Sequence, residues 1–137
     1  MELFWPESFD EQLDRLEDEA DHGDERARTV FEYVVAEMDY LRRLPAPPMS
    51  ETPTLKPVRQ SKKHEVWRVS HPYHHGIAVR LICWFPPDEN TAVVALFSGD
   101  KANMGDVFYD SVGSRADQII DQWIREGEGE ENGEEGI

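Results

Sequence analysis

Two arginines, Arg68 and Arg80, stand inside runs that are otherwise apolar and β-like, VWRVS and IAVRLICWF. Lys101 follows where a third run, AVVALF, breaks off. A cation inside an apolar strand is costly to bury, so it faces either solvent or a polyanionic ligand. Guanidinium suits the second role, because it stays charged when partly buried and can form two parallel hydrogen bonds to one phosphate. The competing reading is structural, with either arginine in a salt bridge to Glu65 or to helix carboxylates across the sheet. Three histidines, His71, His74 and His75, crowd the connection HPYHHG between the first two runs. Adjacent histidines in a hairpin turn point apart, and no nearby cysteine completes a ligand set, so neither a metal site nor a cofactor is expected. GxSxG and a glycine-rich phosphate loop are both absent from the sequence, which leaves serine-hydrolase chemistry without a motif.

The formal charge of −15 argues at first against a nucleic-acid partner, whose phosphates are the main attraction for a binder. The charge is unevenly spread. Residues 1–52 hold five Lys/Arg against fifteen Asp/Glu, residues 53–125 hold nine against eight, and residues 126–137 hold none against six. The acidity belongs to the N-terminal helices and the tail, and the segment carrying the arginines is neutral to slightly basic.

With 137 residues, one domain can bury a core without disulfides or metals. The single cysteine, Cys83, excludes an internal disulfide. No apolar stretch reaches the length of a membrane span, and MELFWPESFDEQL has no basic region ahead of its apolar patch, as a secretory signal would. A soluble cytoplasmic protein is the expectation.

The elements that must position the cations follow from periodicity. ELFW reads as a short first strand, and Ser8 with Glu11 has the spacing of a capping box for a first helix. Phe9, Leu13 and Leu16 give that helix one apolar stripe, and Gly23 marks its end. In the second helix Ala27, Val30, Phe31, Val34, Val35, Met38 and Leu41 follow the i, i+3, i+4 pattern until Pro45. Beyond the proline-rich RLPAPPMSETP the period becomes two. Leu55 to Arg59 starts a strand that Pro57 confines to an edge. The strands VWRVS, IAVRLICWF and AVVALF come next, the last apolar on both faces as in a central strand. Ala116, Ile119, Ile120 and Trp123 form the stripe of a final helix. The expected fold is α+β, in the order β-α-α-β-β-β-α, with a small, mostly antiparallel sheet and helices packed on one face over residues 1–126. The Glu/Gly-rich residues 127–137 form a tail with almost nothing to bury, expected to be disordered.

Three segments in this order resemble the RelE/ParE toxin superfamily of type II toxin–antitoxin systems, with its HigB and phage-Gp49-like branches. HEVWRVS opens a strand with an acidic residue, a large residue and an arginine. GIAVRLICWF carries an arginine into the middle strand, and VVALFSGDKAN ends an apolar strand in a small-residue turn and a lysine. DVFYDSV is similar to the start of the closing segment, so the resemblance covers roughly Leu3 to Glu126. It implies a RelE-like toxin, specifically a ribosome-dependent, metal-independent mRNA endonuclease that inhibits translation. In such an enzyme a 2′-hydroxyl attacks the adjacent phosphate, leaving a cyclic phosphate and a free 5′-hydroxyl. The reaction needs a base, cations for the phosphate charge, and an acid for the leaving oxygen.

Carried over by position, the resemblance assigns Arg80 to the scissile phosphate and Lys101 to a second phosphate contact. Arg68 takes a phosphate or structural role, and Lys62 and Lys63 fall in a loop that binds RNA. Tyr109, or else Phe108, is the stacking or acid–base aromatic, and His64 the general base. The implied partners are an antitoxin protein that wraps the toxin and covers its basic site, forming an oligomer with it, and the ribosome with its mRNA. No membrane is involved. The alternative from another class is a non-enzymatic protein: a ParE-like toxin that binds gyrase, or an inactive relative that only forms complexes. Placement discriminates the two. Carboxylates of Asp100 and Asp106 on the face of Arg80 would oppose phosphate and favour the binding role.

Overall fold

The structure is a computed structural model that describes residues 1–70, 76–100 and 107–135, with side chains described over 1–70, 76–100 and 111–127. Strand β1 (Glu2–Phe4) leads into helices α1 (Glu7–Asp21) and α2 (Glu25–Arg43). Strands β2 (Leu55–Pro57), β3 (Val66–Ser70), β4 (Val79–Trp84) and β5 (Ala92–Asp100) come next, and helix α3 (Val107–Glu135) closes the order. The five strands form one sheet in the order β1-β5-β4-β3-β2. Strands β2 to β5 pair antiparallel, and β1 adds to β5 in parallel. The fold is therefore α+β with a mixed sheet of five strands. The Leu55 segment, which the order β-α-α-β-β-β-α does not count, forms the expected edge strand, where its proline is tolerated.

Helix α1 starts one residue before Ser8, with Pro6 rather than Ser8 at its N-cap and no side chain capping it. Proline's extended ψ turns the chain into the helix, and the expected capping box is not formed. Gly23, at a φ of 98°, ends the turn after α1 in a backbone region that favours glycine. Asp24 then caps α2 by accepting from the Ala27 amide at 3.0 Å. In α2 the apolar stripe is rotated from its expected position. Val35 is 41% exposed while Glu37 is 1% exposed, so the carboxylate and not the valine faces the sheet.

The strands sort their side chains by alternation. Val69, Val79, Leu81, Cys83, Val93 and Ala95 meet Phe9 of α1 and Val34, Met38 and Leu41 of α2. Val66, Ile82, Trp84, Val94, Leu96 and Phe97 meet Val112, Ala116 and Ile120 of α3. Helices therefore cover both faces, which corrects the single-faced arrangement. The physical reason lies in the strands: β4 and β5 are apolar on both sides, and an uncovered second face would leave Ile82, Trp84 and Phe97 in water. The helical backbone of α3 continues to Glu135, into the Glu/Gly-rich segment whose composition predicts no structure; glutamate's helix propensity competes there with glycine's cost.

One irregularity organises the sheet. Between Ile82 and Cys83 the register shifts, so that Ile82 faces Phe97 while Cys83 faces Ala95, and Leu96 is the extra residue of a β-bulge. Both Leu96 and Phe97 enter the core under α3. Before the bulge Val93 and Ala95 face α1 and α2; after it the even-numbered residues do.

Helix α3 is held by close approach as well as by its apolar stripe. A Cβ on Gly113 would lie under 3.0 Å from the backbone of Gln60 and Ser61. Gly113→Ala should therefore cost about 1–3 kcal/mol through overpacking, against a gain of up to about 1 kcal/mol for the same change in an open helix. A fall in the urea unfolding midpoint is the expected readout.

Candidate functional site

Cross-strand register gathers the cations. Residues directly opposite in a sheet share a face. Lys56 on β2 lies opposite Arg68 on β3, and Ser70, two residues on, lies opposite Arg80 on β4. All sit on the α3 face, because Val66 and Ile82, in step with them, belong to the core beneath α3. Arg68 Nη1 donates to Ser70 Oγ at 2.6 Å, and Arg80 Nη1 donates to the Val79 carbonyl at 3.0 Å, so both guanidinium groups are held against the sheet. On the far side of Arg80 stands Gly99, which has no side chain to fill the face. Arg115 of α3 stacks on Phe97, 4.0 Å from the ring centroid, and adds a cation on this side of the sheet.

Asp100 faces the other way. It lies opposite Val79, on the α1/α2 side, where it forms an ion pair with Arg26 and accepts from the Ala78 amide at 3.0 Å. The bulge at Leu96 is the cause. An unbroken alternation would have put Asp100 on the side of Arg80. Asp106 lies outside the described residues.

The expected RNA-binding loop and general base lie at a different corner, where α3 holds the loop. Asp117 of α3 accepts from Ser61 Oγ and from the amides of Lys62, Lys63 and His64, at 3.1 to 3.3 Å. One turn on, Asp121 accepts from Lys63 Nζ and from His64 Nε2, both at 2.9 Å. An ionised carboxylate only accepts, so His64 Nε2 carries the proton. The His64 ring meets Trp84 edge-on at 5.9 Å. Trp84 is four residues along β4 from Arg80, roughly 13 Å at strand rise. The structure thus brings Arg68 and Arg80 together, places Lys63 and His64 at the opposite end of the same strands, and leaves the Lys62 side chain exposed. Lys101 lies outside the described residues. Tyr109 and Phe108 lie in α3, in a stretch whose side chains are not described, and His71, His74 and His75 are likewise outside.

Cys83 is fully buried, and burial, with the nearby Glu37 carboxylate second, pushes its thiol far above the ordinary range. It takes no part in nucleophilic chemistry. Among the described residues no cluster of three or more His, Cys, Asp or Glu could hold a metal.

Sequence reading missed Lys56 as a partner of Arg68, because the pairing of β2 with β3 is invisible before folding. The latch on α3 left a readable signal: Gly113, Asp117 and Asp121 recur every four residues, one stripe of a helix. No protein-family model matches the chain, and no curated protein or solved structure matches it either.

Two stability outcomes follow from the latch. Asp117→Ala strands several donors at once and should cost about 1–3 kcal/mol in denaturant unfolding. The hydrogen bonds from His64, then Lys63, hold the Asp121 carboxyl below the usual carboxylate range. A depressed folded pKa stabilises fully above the unfolded value, about 3.9, and that contribution vanishes as pH falls through the folded value. The stability that Asp121 contributes over Asp121→Asn should be present above about pH 4 and shrink, as a Tm difference, as pH falls below it.

Proposed function

We propose that this protein is a toxin of the RelE/ParE type that cleaves mRNA on the ribosome, with Arg80 contacting the scissile phosphate. The observation that carries the reading is the shared face of Lys56, Arg68 and Arg80, with Asp100 turned to the other side of the sheet. A guanidinium already held against a backbone carbonyl is positioned before a phosphate arrives, so contact costs little ordering. As the 2′-oxygen attacks, negative charge grows on the non-bridging oxygens, and a fixed cation there stabilises the transition state more than the ground state. Lys101 and Tyr109 complete this reading as the second phosphate contact and the acid–base or stacking group. A small antitoxin protein that covers the cationic face is the expected partner.

A second reading rests on a specific distance. His64, the proposed general base, meets Trp84, which is roughly 13 Å along β4 from Arg80, and is engaged by Asp121. A protein that uses the same face only to bind, as a gyrase-directed toxin or an inactive relative does, has no need of a base beside Arg80.

Inducible expression followed by mapping of mRNA 5′ ends on translating ribosomes separates the two. Wild type should arrest growth and create new 5′-hydroxyl ends, and Arg80→Ala should lower their yield by about 10²–10³-fold, the usual cost of one oxyanion donor. Growth arrest without new ends would favour the binding role. His64→Gln should leave cleavage largely intact if His64 is part of the α3 latch and not the base.

A further inference from the structure

Beside the cationic face lies an open groove of about 270 Å³ at the sheet edge, lined by Glu51, Lys56, Pro57, Arg59, Gln60 and Arg68. It belongs to the edge strand β2. We propose that this groove is a second phosphate site, which carries single-stranded RNA from Arg80 across β3 and out over β2. This rests on the reading of Arg80 as a phosphate contact.

Register and spacing support the path. From Arg80 the next cation on the face is Arg68, diagonal across one strand pair, and Lys56 lies directly opposite Arg68. With strands about 4.8 Å apart and two residues of offset, Arg80 and Lys56 are separated by roughly 12 Å at the backbone. Long side chains on one face are of a length to span that interval, and Arg59 lines the groove beyond the strand. Within the groove three cations oppose one carboxylate, that of the exposed Glu51, in a chain whose overall charge is −15. The Gln60 amide adds a neutral donor and acceptor.

The edge itself admits no competing strand. Leu55 uses its outward amide on Thr52 Oγ1 and its outward carbonyl on the Thr52 amide. Pro57 has no amide hydrogen to offer. An added β-strand would find almost no ladder there, so the groove is left to a ligand recognised by side chains. Its wall is also fixed, because the Gln60–Ser61 backbone rests on Gly113 and the next residues hang on Asp117. A pre-ordered cationic groove loses little entropy on binding a phosphate.

The test uses the full chain and a fluorescein-labelled 2′-O-methyl RNA dodecamer, which cannot be cleaved because its attacking hydroxyl is blocked. Anisotropy is followed across a salt series for wild type, Lys56→Gln/Arg59→Gln and Arg80→Gln. The double variant, altered only at surface cations, should bind roughly tenfold more weakly at low salt. Loss of two phosphate contacts should also flatten the log–log salt slope by about 1.4. Unchanged affinity and slope would overturn the groove, even where Arg80→Ala abolishes cleavage and the nuclease reading stands. Conversely, weakened binding by the double variant in a protein that makes no new mRNA ends keeps the groove and sinks the nuclease reading. Poly-glutamate binding as tightly as the RNA, with equal loss in the double variant, would assign the groove to an acidic peptide and overturn the proposal.

Discussion

A single extra residue in β5 decides what the cationic face can do. Side chains alternate along a strand with a period of two, so one inserted residue exchanges the faces of everything beyond it. At Leu96 the insertion lets two consecutive side chains, Leu96 and Phe97, enter the core beneath α3. The same shift turns Asp100 toward Arg26 and leaves glycine beside Arg80. Core packing and local electrostatics are thus set by one device. The apolar gain of burying both residues holds the bulge in place, and the charge arrangement follows from it.

The contrast between overall and local charge has the same kind of explanation. Apart from Glu37, which is buried against the sheet, the carboxylates of α1 and α2 lie on the outer side of a helix layer, with the sheet between them and the cationic face. Layers in such a fold are about 10 Å apart, and exposed charges in physiological salt are screened over about 8 Å. The acidic helices therefore weaken the field at Arg80 far less than a carboxylate on the same face would. Net charge describes solubility and long-range association, while recognition at a site depends on charges within a few ångströms.

Helix α3 closes the second core and holds one end of this face. Its apolar stripe, Val112, Ala116 and Ile120, closes the second core. Its other stripe, Gly113, Asp117 and Asp121, grips the loop between β2 and β3. That loop holds Lys62, Lys63 and His64, whose amides and, for Lys63 and His64, side chains bond to α3. The loop's amides need acceptors once they leave the sheet, and aspartates four residues apart on a helix supply them. Through its amides, Lys63 Nζ and His64 Nε2 this loop meets a structural need, while the Lys62 side chain stays exposed.

Much of this was legible in the chain itself. Periodicity located both N-terminal helices, the three long strands, the proline-limited edge strand and the closing helix, because burial of one stripe or one face leaves a regular trace in residue type. The double-sided apolar character of AVVALF was visible too, and it already required cover on both faces, although the expectation placed the helices on one. Arg68 and Arg80 stood out because charge inside an apolar run is costly. Pairing between distant segments was not legible. The register of Lys56 against Arg68, the bulge at Leu96, the turning away of Asp100 and the capture of His64 by Asp121 all depend on which residues meet after the chain folds. Sequence by itself determined the elements and the cost of the buried cations, since these follow from local propensity and transfer free energy. Only the tertiary structure decided which charges share a face, because one register shift reverses every side chain beyond it.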